Sequence, residues 1–489
     1  MSVQYGLPKD TGALHFIGIG GIGMSGIAEI LHNLGYSVQG SDQAEGSNVK
    51  RLREEKDIRI SIGHEAENIK DTEGNLPAAV VVSSAIKNDN VELQAARNEG
   101  VPIVRRAEML AELMRLKWAI AIGGTHGKTT TTSMVGQMLE TADFDPTIIN
   151  GGIVNAYGSN TRLGQSDVMV AEADESDGTF TRLPASVAVV TNIDEEHMDH
   201  YGSFEQVKDA YRQFITNVPF YGFAVLCLDH PEVQAMIPSV KDRKIITYGF
   251  NPQADVQVSN LDMDAEGSRF DVTFADHLND GEELTLRDVF LPMLGRHNVQ
   301  NSLVALAIAQ EMGVKPPIMK KALENFTGVK RRFTKTGEAN GVTIIDDYAH
   351  HPIEIETVLK TARTAVKANE GRVVAVMQPH RYSRLHDLFE DFCKCFNDAD
   401  TVIIADVYEA GEDPIEGVNK NSLVEGIKNH GHREVIALPE RKELAHCVAK
   451  YVKPNDFVIC MGAGDITGWA YELPDQLETE IEKAKGHAA

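Results

Sequence analysis

Two glycine-rich turns in this sequence have the residue types and spacing to hold phosphate. In "ALHFIGIGGIGMSGIAEIL" (13–31) an apolar run meets Gly18, Gly20, Gly21 and Gly23 and passes into a helix-like stretch. Gly18, Gly20 and Gly23 satisfy G-x-G-x-x-G, a turn tight enough for backbone to approach a diphosphate at a helix N-terminus. Asp42, about twenty residues further on, stands where such turns carry an acid for a ribose hydroxyl. In "WAIAIGGTHGKTTTTSM" (118–134) a second apolar run meets Gly123, Gly124, Thr125, His126, Gly127, Lys128, Thr129 and Thr130. This is a P-loop one residue short, since Ile122 occupies the position of the first glycine. Its backbone N–H groups would surround the β- and γ-phosphates of ATP, Lys128 would neutralise them, and Thr129 would meet Mg²⁺. An ATP-using enzyme has little need of NAD, so the first loop is expected to hold the diphosphate of a different nucleotide.

Such turns need strands before them and helices after them. Up to about residue 115 the apolar runs "ALHFIGIG", "AAVVVSSAI" and "VPIVRR" alternate with helix-like stretches, the pattern of a parallel sheet wrapped by helices. A second alternating block starts at "KWAIAIGG" and runs through "SDVMVAEAD", "SVAVVTNID" and "GFAVLCLD" to the helical "NVQNSLVALAIAQEMG". Residues 250–290 are polar and β-like, an expected antiparallel embellishment. In a third block "GVTIIDDYAHHP", "GRVVAVMQPHRYSR", "DTVIIADVYEAGE" and "NDFVICMGAGDI" each end an apolar strand in a polar tail, where open α/β sheets bind ligands. The chain is therefore expected to be α/β throughout, in several domains.

At 489 residues it exceeds what one core supports. A net charge of −25 repels nucleic acid and anionic membrane, so neither is an expected partner, and no apolar stretch is long enough to span a bilayer. "MSVQYGLPKD" lacks the regions of a signal peptide, and the five scattered cysteines lack zinc spacing, so structural thiols in a reducing cytoplasm are expected.

"GTHGKTTT", "EADESDGTF", "TNIDEEHMDHY", "GRHNVQN", "GVKRRF", "DDYAHHP" and "QPHRYSR", in that order, resemble the ATP-dependent Mur ligases over essentially the whole chain. The resemblance implies a Rossmann-like UDP-sugar domain (1–115), a P-loop ATPase-like ATP domain (116–326) and a Rossmann-like amino-acid domain (327–489). It implies that the carboxylate of UDP-N-acetylmuramate takes the γ-phosphoryl group of ATP and that L-alanine then displaces phosphate, in peptidoglycan precursor synthesis. A monomer or weak homodimer is the expected state.

By the same resemblance Gly18, Gly20, Gly21, Gly23, Asp42, His64, Ser83 and Ser84 would hold the UDP-sugar. The loop Gly123–Thr130, with His297, Asn298 and Asn301, would hold ATP; a helix cap is the alternative for Asn298. Thr129 and Glu172 would hold the Mg²⁺ on the ATP phosphates, and Glu172 and His197 a second ion, the histidine hinting at tolerance of Mn²⁺. Asp174, Glu175 and Asp177 are expected mostly as loop solvation or support around that site. Sister ligases carry a carbamylated lysine downstream, and Arg212 lies nearest that position. Asp346, Asp347 and His350 would face the reaction centre, with Lys128, His350 and Arg332 as catalytic groups and Arg331 beside them. His380, Arg381 and Arg384 would hold the amino acid, the two arginines sharing one helix face against its carboxylate.

Overall fold

A computed structural model of the chain describes residues 12–83, 85–115, 117–156, 158–264, 266–367 and 370–487, which build three sheets. The first comprises β1 (Leu14–Ile17), β2 (Val38–Asp42), β3 (Arg59–Ile62), β4 (Ala79–Val82) and β5 (Ile103–Arg105). All pairings are parallel, in the order β3-β2-β1-β4-β5, so the order reverses beside β1, the strand that feeds the first glycine loop. β1 and β4 are buried at every residue, as parallel strands covered on both faces must be.

The second sheet comprises β6 (Trp118–Gly123), β7 (Thr147–Val154), β8 (Ser159–Arg162), β9 (Val168–Glu172), β10 (Val187–Val190), β11 (Phe223–Cys227), β12 (Lys244–Gly249), β13 (Val256–Met263), β14 (Ser268–Phe274) and β15 (Leu284–Leu291). Their order is β15-β14-β13-β12-β11-β10-β6-β9-β7-β8. The middle strands are parallel and β8 turns back on β7. β13 to β15 supply the β-like insertion expected near residues 250–290. The helix Lys128–Thr141 opens on four threonines, poor helix formers, yet Thr129 to Thr132 are all buried, so packing against the sheet overrides propensity.

The third sheet comprises β16 (Thr334–Ala339), β17 (Val342–Asp347), β18 (Val373–Met377), β19 (Thr401–Ile404), β20 (Val435–Ala437) and β21 (Phe457–Met461). It runs β16-β17-β21-β18-β19-β20, parallel except for the edge strand β16.

The chain divides into two compact units. One is Met1–Asn260, Phe270–Val289 and Gln300–Thr327, the other Leu261–Arg269, Phe290–Val299 and Gly328–Ala489. Within the first unit, the helix Ile22–Asn33 docks on the β7–β8 hairpin. Asn160 Nδ2 donates to the Ile22 carbonyl at 2.7 Å and Thr161 Oγ1 to Glu29 at 3.2 Å. A Cβ on Gly26 would lie 2.3 Å from Thr161 Cγ2, so glycine is what lets the two surfaces meet. All five cysteines are free and buried. Among the described residues no helix is long and apolar enough to cross a membrane.

Candidate active site

The first glycine loop leaves β1 through Gly18 at φ +75 and enters the helix Ile22–Asn33, whose first turn has no capping side chain. The Gly21 carbonyl takes the Met24 and Ser25 N–H groups, and the Ile22 and Gly23 N–H groups have no protein acceptor among the described residues. Asp42, at the end of β2, accepts from the Gly20 N–H at 2.8 Å and the Ala44 N–H at 3.2 Å, so it shapes the loop. A Cβ on Gly20 would meet Asp42 Oδ2 at 2.9 Å and Val49 Cγ2 at 2.6 Å. His64 follows β3, with Nδ1 at 3.2 Å from Ser41 Oγ and from Glu92 Oε1. Ser83 follows β4, and Ser84 lies outside the described residues.

The second loop bends at Gly124 (φ +126) and Gly127 (φ +83), conformations that L side chains rarely adopt. A Cβ on Gly127 would stand 2.9 Å from Asn301 Oδ1, which places Asn301 against the phosphate loop. His126 donates its N–H to Asn192 Oδ1 at 2.7 Å and sets Nε2 3.2 Å from Asp194. Lys128 Nζ bonds the carbonyls of Gly124 (2.7 Å) and Thr125 (3.0 Å) and pairs with Glu175 at 2.8 Å. Burial opposes the ammonium, but Glu175, Glu172 and Asp174 outweigh it and hold the Lys128 pKa above its ordinary value. Burial pushes the Glu175 carboxyl up to about 7, with Lys128 opposing and Asp174 adding to the rise. Glu175, Glu196 and His197 offer ligand atoms all within 4.8 Å of one another. Glu172 lies at the end of β9 and accepts from the Gly151 N–H at 2.8 Å.

In the second unit, "DDYAHHP" ends β17 and leads into the helix Pro352–Lys367. Asp347 accepts from the N–H groups of Phe333 and Ala349, both at 2.7 Å, and burial lifts its carboxyl to about 6 against the pull of Arg332. Asp346 is fully buried and its carboxyl is also raised, chiefly by burial. His350 Nδ1 lies 2.9 Å from the Tyr348 carbonyl, and the Arg331 and Arg332 guanidinium groups sit 4.6 and 5.2 Å from the Tyr348 ring centroid. Arg331 is further tied to the carbonyls of Gly462 (2.5 Å) and Gly464 (3.3 Å). His380 stacks on Tyr408 with centroids 5.5 Å apart and lies 6.0 Å from His350. Burial, with His350, Arg384 and Arg381 nearby, brings His380 down to about 4. Burial likewise lowers His297 to about 4, with Arg332 contributing.

Glu175 is 3% exposed and is the counter-ion of Lys128, the supporting role of the two expected for this acidic run and not loop solvation. Arg212 points to Asp209 and Ser239 on the outer side of the helix Phe204–Thr216, whose buried face carries Tyr211. Arg381 does not share a helix face with Arg384. It caps the helix Tyr382–Asp387 from φ +71, 3.9 Å from Glu412, while Glu412 also binds Ser383. Asn298 lies inside the first turn of the helix Arg296–Glu311, and its Nδ2 donates to the Leu294 carbonyl at 2.8 Å. Arg106 passed unnoticed in "VPIVRR". A Cβ on Gly23 would lie 3.2 Å from its Cδ, and its guanidinium pairs with Asp174 at 2.9 Å, linking the first glycine loop to the acidic strand tail.

Three family models match the chain in order: "Mur ligase family, catalytic domain" over residues 13–118, "Mur ligase middle domain" over 122–309, and "Mur ligase, glutamate ligase domain" over 331–464. A UDP-N-acetylmuramate–L-alanine ligase of Rhodospirillum centenum is 60% identical over 96% of each chain. One of Paramagnetospirillum magneticum is 60% identical over 98% of each. The crystal structure of the UDP-N-acetylmuramate–alanine ligase of Thermotoga maritima superposes with a TM-score of 0.78 at 28% identity, over 97% of this chain and 100% of that one. A murein peptide ligase of Psychrobacter arcticus shares the fold, with a TM-score of 0.69 at 24% identity over 96% of this chain and 99% of that one. The chain belongs to the Mur ligase family.

Proposed function

We infer that this chain joins L-alanine to the carboxylate of UDP-N-acetylmuramate at the expense of ATP, in the cytoplasmic assembly of peptidoglycan precursors. The observation that carries this is 60% identity to UDP-N-acetylmuramate–L-alanine ligases over nearly the full length of both chains. Residues 1–115 serve the UDP-sugar, 116–326 ATP and 327–489 the amino acid.

A carboxylate is a poor acyl donor because its leaving group is oxide. One carboxylate oxygen attacks the γ-phosphorus, ADP leaves, and the resulting acyl phosphate carries a good leaving group. The amine of L-alanine attacks the carbonyl, and phosphate departs with that oxygen. Lys128, released from Glu175, meets the phosphates, while the loop N–H groups from Gly124 to Lys128 wrap them. Asn301, beside Gly127, supports the loop, and His297 and Asn298 serve the adenine side.

Thr129, Glu172 and His197 would hold Mg²⁺, with Glu175 and Glu196 beside the histidine. Two carboxylates and one imidazole within 4.8 Å suit a divalent cation, and the nitrogen suits Mn²⁺ also. Bound there, the cation would offset phosphate charge and align the γ-phosphoryl group. His350 directs Nδ1 at the Tyr348 carbonyl, so Nε2 is its basic nitrogen and suits the proton that leaves the amine. Arg332 faces developing phosphoryl charge. Arg381 and Arg384 take the alanine carboxylate, with His380 stacked beside them.

The test is ADP release with UDP-N-acetylmuramate, with and without L-alanine. Sustained release only when both are present is expected. Sustained release without the sugar nucleotide, or with a preformed peptide in place of alanine, would overturn the assignment.

A further inference from the structure

The helix Phe204–Thr216 turns one tyrosine inward, beside the strand that feeds the second glycine loop. Tyr211 is fully buried, and its ring lies between two landmarks of the site. Its Cε1 is 3.7 Å from where a Cβ on Gly123 would stand, at the end of β6, and Phe180 meets it edge-on with centroids 5.0 Å apart. The Tyr211 hydroxyl is sealed from solvent and has no hydrogen-bond partner among the described residues. Packing does not need that oxygen, since phenylalanine fills the same outline, and stripping a hydroxyl of water without pairing it is unfavourable. Neighbouring Tyr201 shows the ordinary solution, donating its hydroxyl to the Glu175 carbonyl at 2.6 Å.

The polar groups acting on this phenol are Glu175, Thr125, Tyr201 and Glu196. Thr125 Oγ1 stands outside hydrogen-bonding geometry with it and already accepts the Asp194 N–H at 2.9 Å. Burial, and after it the charge of Glu175, holds the Tyr211 pKa well above its ordinary value, so the hydroxyl keeps its hydrogen and is a standing donor. Glu175 Oε1 accepts from Lys128 at 2.9 Å, whereas the buried Oε2 has the Lys128 charge at 2.8 Å but receives no hydrogen bond. A buried donor without an acceptor and a buried acceptor without a donor therefore share one pocket.

Lys128 satisfies Glu175 only while it stays there. Arg106 is spent on Asp174 at 2.9 Å, and His197 Nε2 stands 4.0 Å from Glu175 Oε1, too far for a hydrogen bond. Resting on the reading of Lys128 as a phosphate ligand, we propose that Tyr211 is a positioning residue: when Lys128 turns to ATP, the Tyr211 hydroxyl donates to Glu175 and holds the carboxylate that Lys128 leaves behind. Lys128 then gives up less on meeting phosphate, so the hydroxyl strengthens nucleotide binding without touching the nucleotide. In the free enzyme the same hydroxyl is unpaired and adds nothing to stability. That asymmetry separates this role from a purely structural one.

Calorimetric titration of the whole enzyme with the β,γ-methylene analogue of ATP and Mg²⁺, alongside thermal melts of the free protein, tests this. Tyr211→Phe should bind the analogue about tenfold more weakly, the loss of one hydrogen bond to a charged group. Its free form should melt no lower than the wild type, because it discards an unpaired hydroxyl. In a Glu175→Gln background the same change should cost less than about twofold, since Lys128 leaves no charge behind. Where Glu175→Gln folds poorly, the affinity and the melt of Tyr211→Phe alone decide the matter. Unchanged affinity in Tyr211→Phe, a lower melting temperature of its free form, or a loss of the same size beside Glu175→Gln would each overturn the proposal. Unchanged analogue affinity in Lys128→Ala would instead overturn the reading of the loop, and the proposal with it.

Discussion

The Lys128 ammonium lies 2.8 Å from Glu175 Oε2, with both groups nearly sealed from solvent. On the proposed function, phosphate and Glu175 compete for one cation. Lys128→Ala should lower ADP formation at least about a hundredfold, the scale seen when one charge-stabilising donor is lost. It should also destabilise the enzyme, because it strands a buried acid, at a cost of about 3–5 kcal/mol before Glu175 takes up a proton. Adding Glu175→Gln should restore much of the melting temperature and none of the turnover. Thermal melts and an ADP assay on both variants check this; near-normal turnover in Lys128→Ala would remove it from the phosphate site.

Gly20→Ala places a methyl group 2.9 Å from Asp42 Oδ2 and 2.6 Å from Val49 Cγ2. The loop must shift, which should cost about 1–3 kcal/mol of stability and raise the KM for the UDP-sugar. The KM for ATP should stay unchanged, since its loop follows a different strand. Equal changes in both constants would mean that the two loops act as one site.

Much of this was legible from the chain. Parallel strands buried on both faces print as continuous apolar runs, so "ALHFIGIG", "KWAIAIGG" and "VVAVM" located β1, β6 and β18, and the glycines after the first two located the strand-to-helix turns. Side-chain direction was not legible. Glu175 and Arg212 each sit among charged or polar neighbours, and only tertiary packing turns one inward to Lys128 and the other outward to Asp209. Arg381 was misjudged because spacing alone suggests one helix face, whereas its backbone takes φ +71 before the helix begins. Arg106 lay hidden because a single arginine after a strand has no signature until Gly23 and Asp174 are seen on either side of it.

Asp347 gives stability a definite pH dependence. Its folded pKa of about 6 exceeds the ordinary 3.8, so between those values the native state holds the proton more tightly than the unfolded chain. Stability from this group is full below the lower value and is lost as pH rises toward the upper one, at up to about 1.4 kcal/mol per pH unit. Asp347→Asn cannot titrate. Its stability relative to wild type, from urea melts, should improve from about pH 4 to about pH 6 and level off above, given where Asp347 changes charge. A difference independent of pH would show that Asp347 is ionised throughout.

Arg384 has no side-chain hydrogen bond or ion pair among the described residues, in keeping with a guanidinium kept for a ligand. Arg384→Ala should raise the alanine KM by the loss of a charged hydrogen bond, roughly 1.5–3 kcal/mol. It should still form acyl phosphate and ADP without alanine, trapped as the hydroxamate by hydroxylamine. Loss of the hydroxamate with a normal alanine KM would place this arginine in the phosphoryl step.

The central claim is that the sugar carboxylate is activated by phosphorylation before the amine attacks. UDP-N-acetylmuramate labelled with ¹⁸O in that carboxylate, turned over with ATP and L-alanine, tests it most directly. One labelled oxygen should leave with each phosphate, and the amide should retain the other, both read by mass spectrometry. Phosphate free of label, with amide still formed, would contradict the acyl-phosphate route.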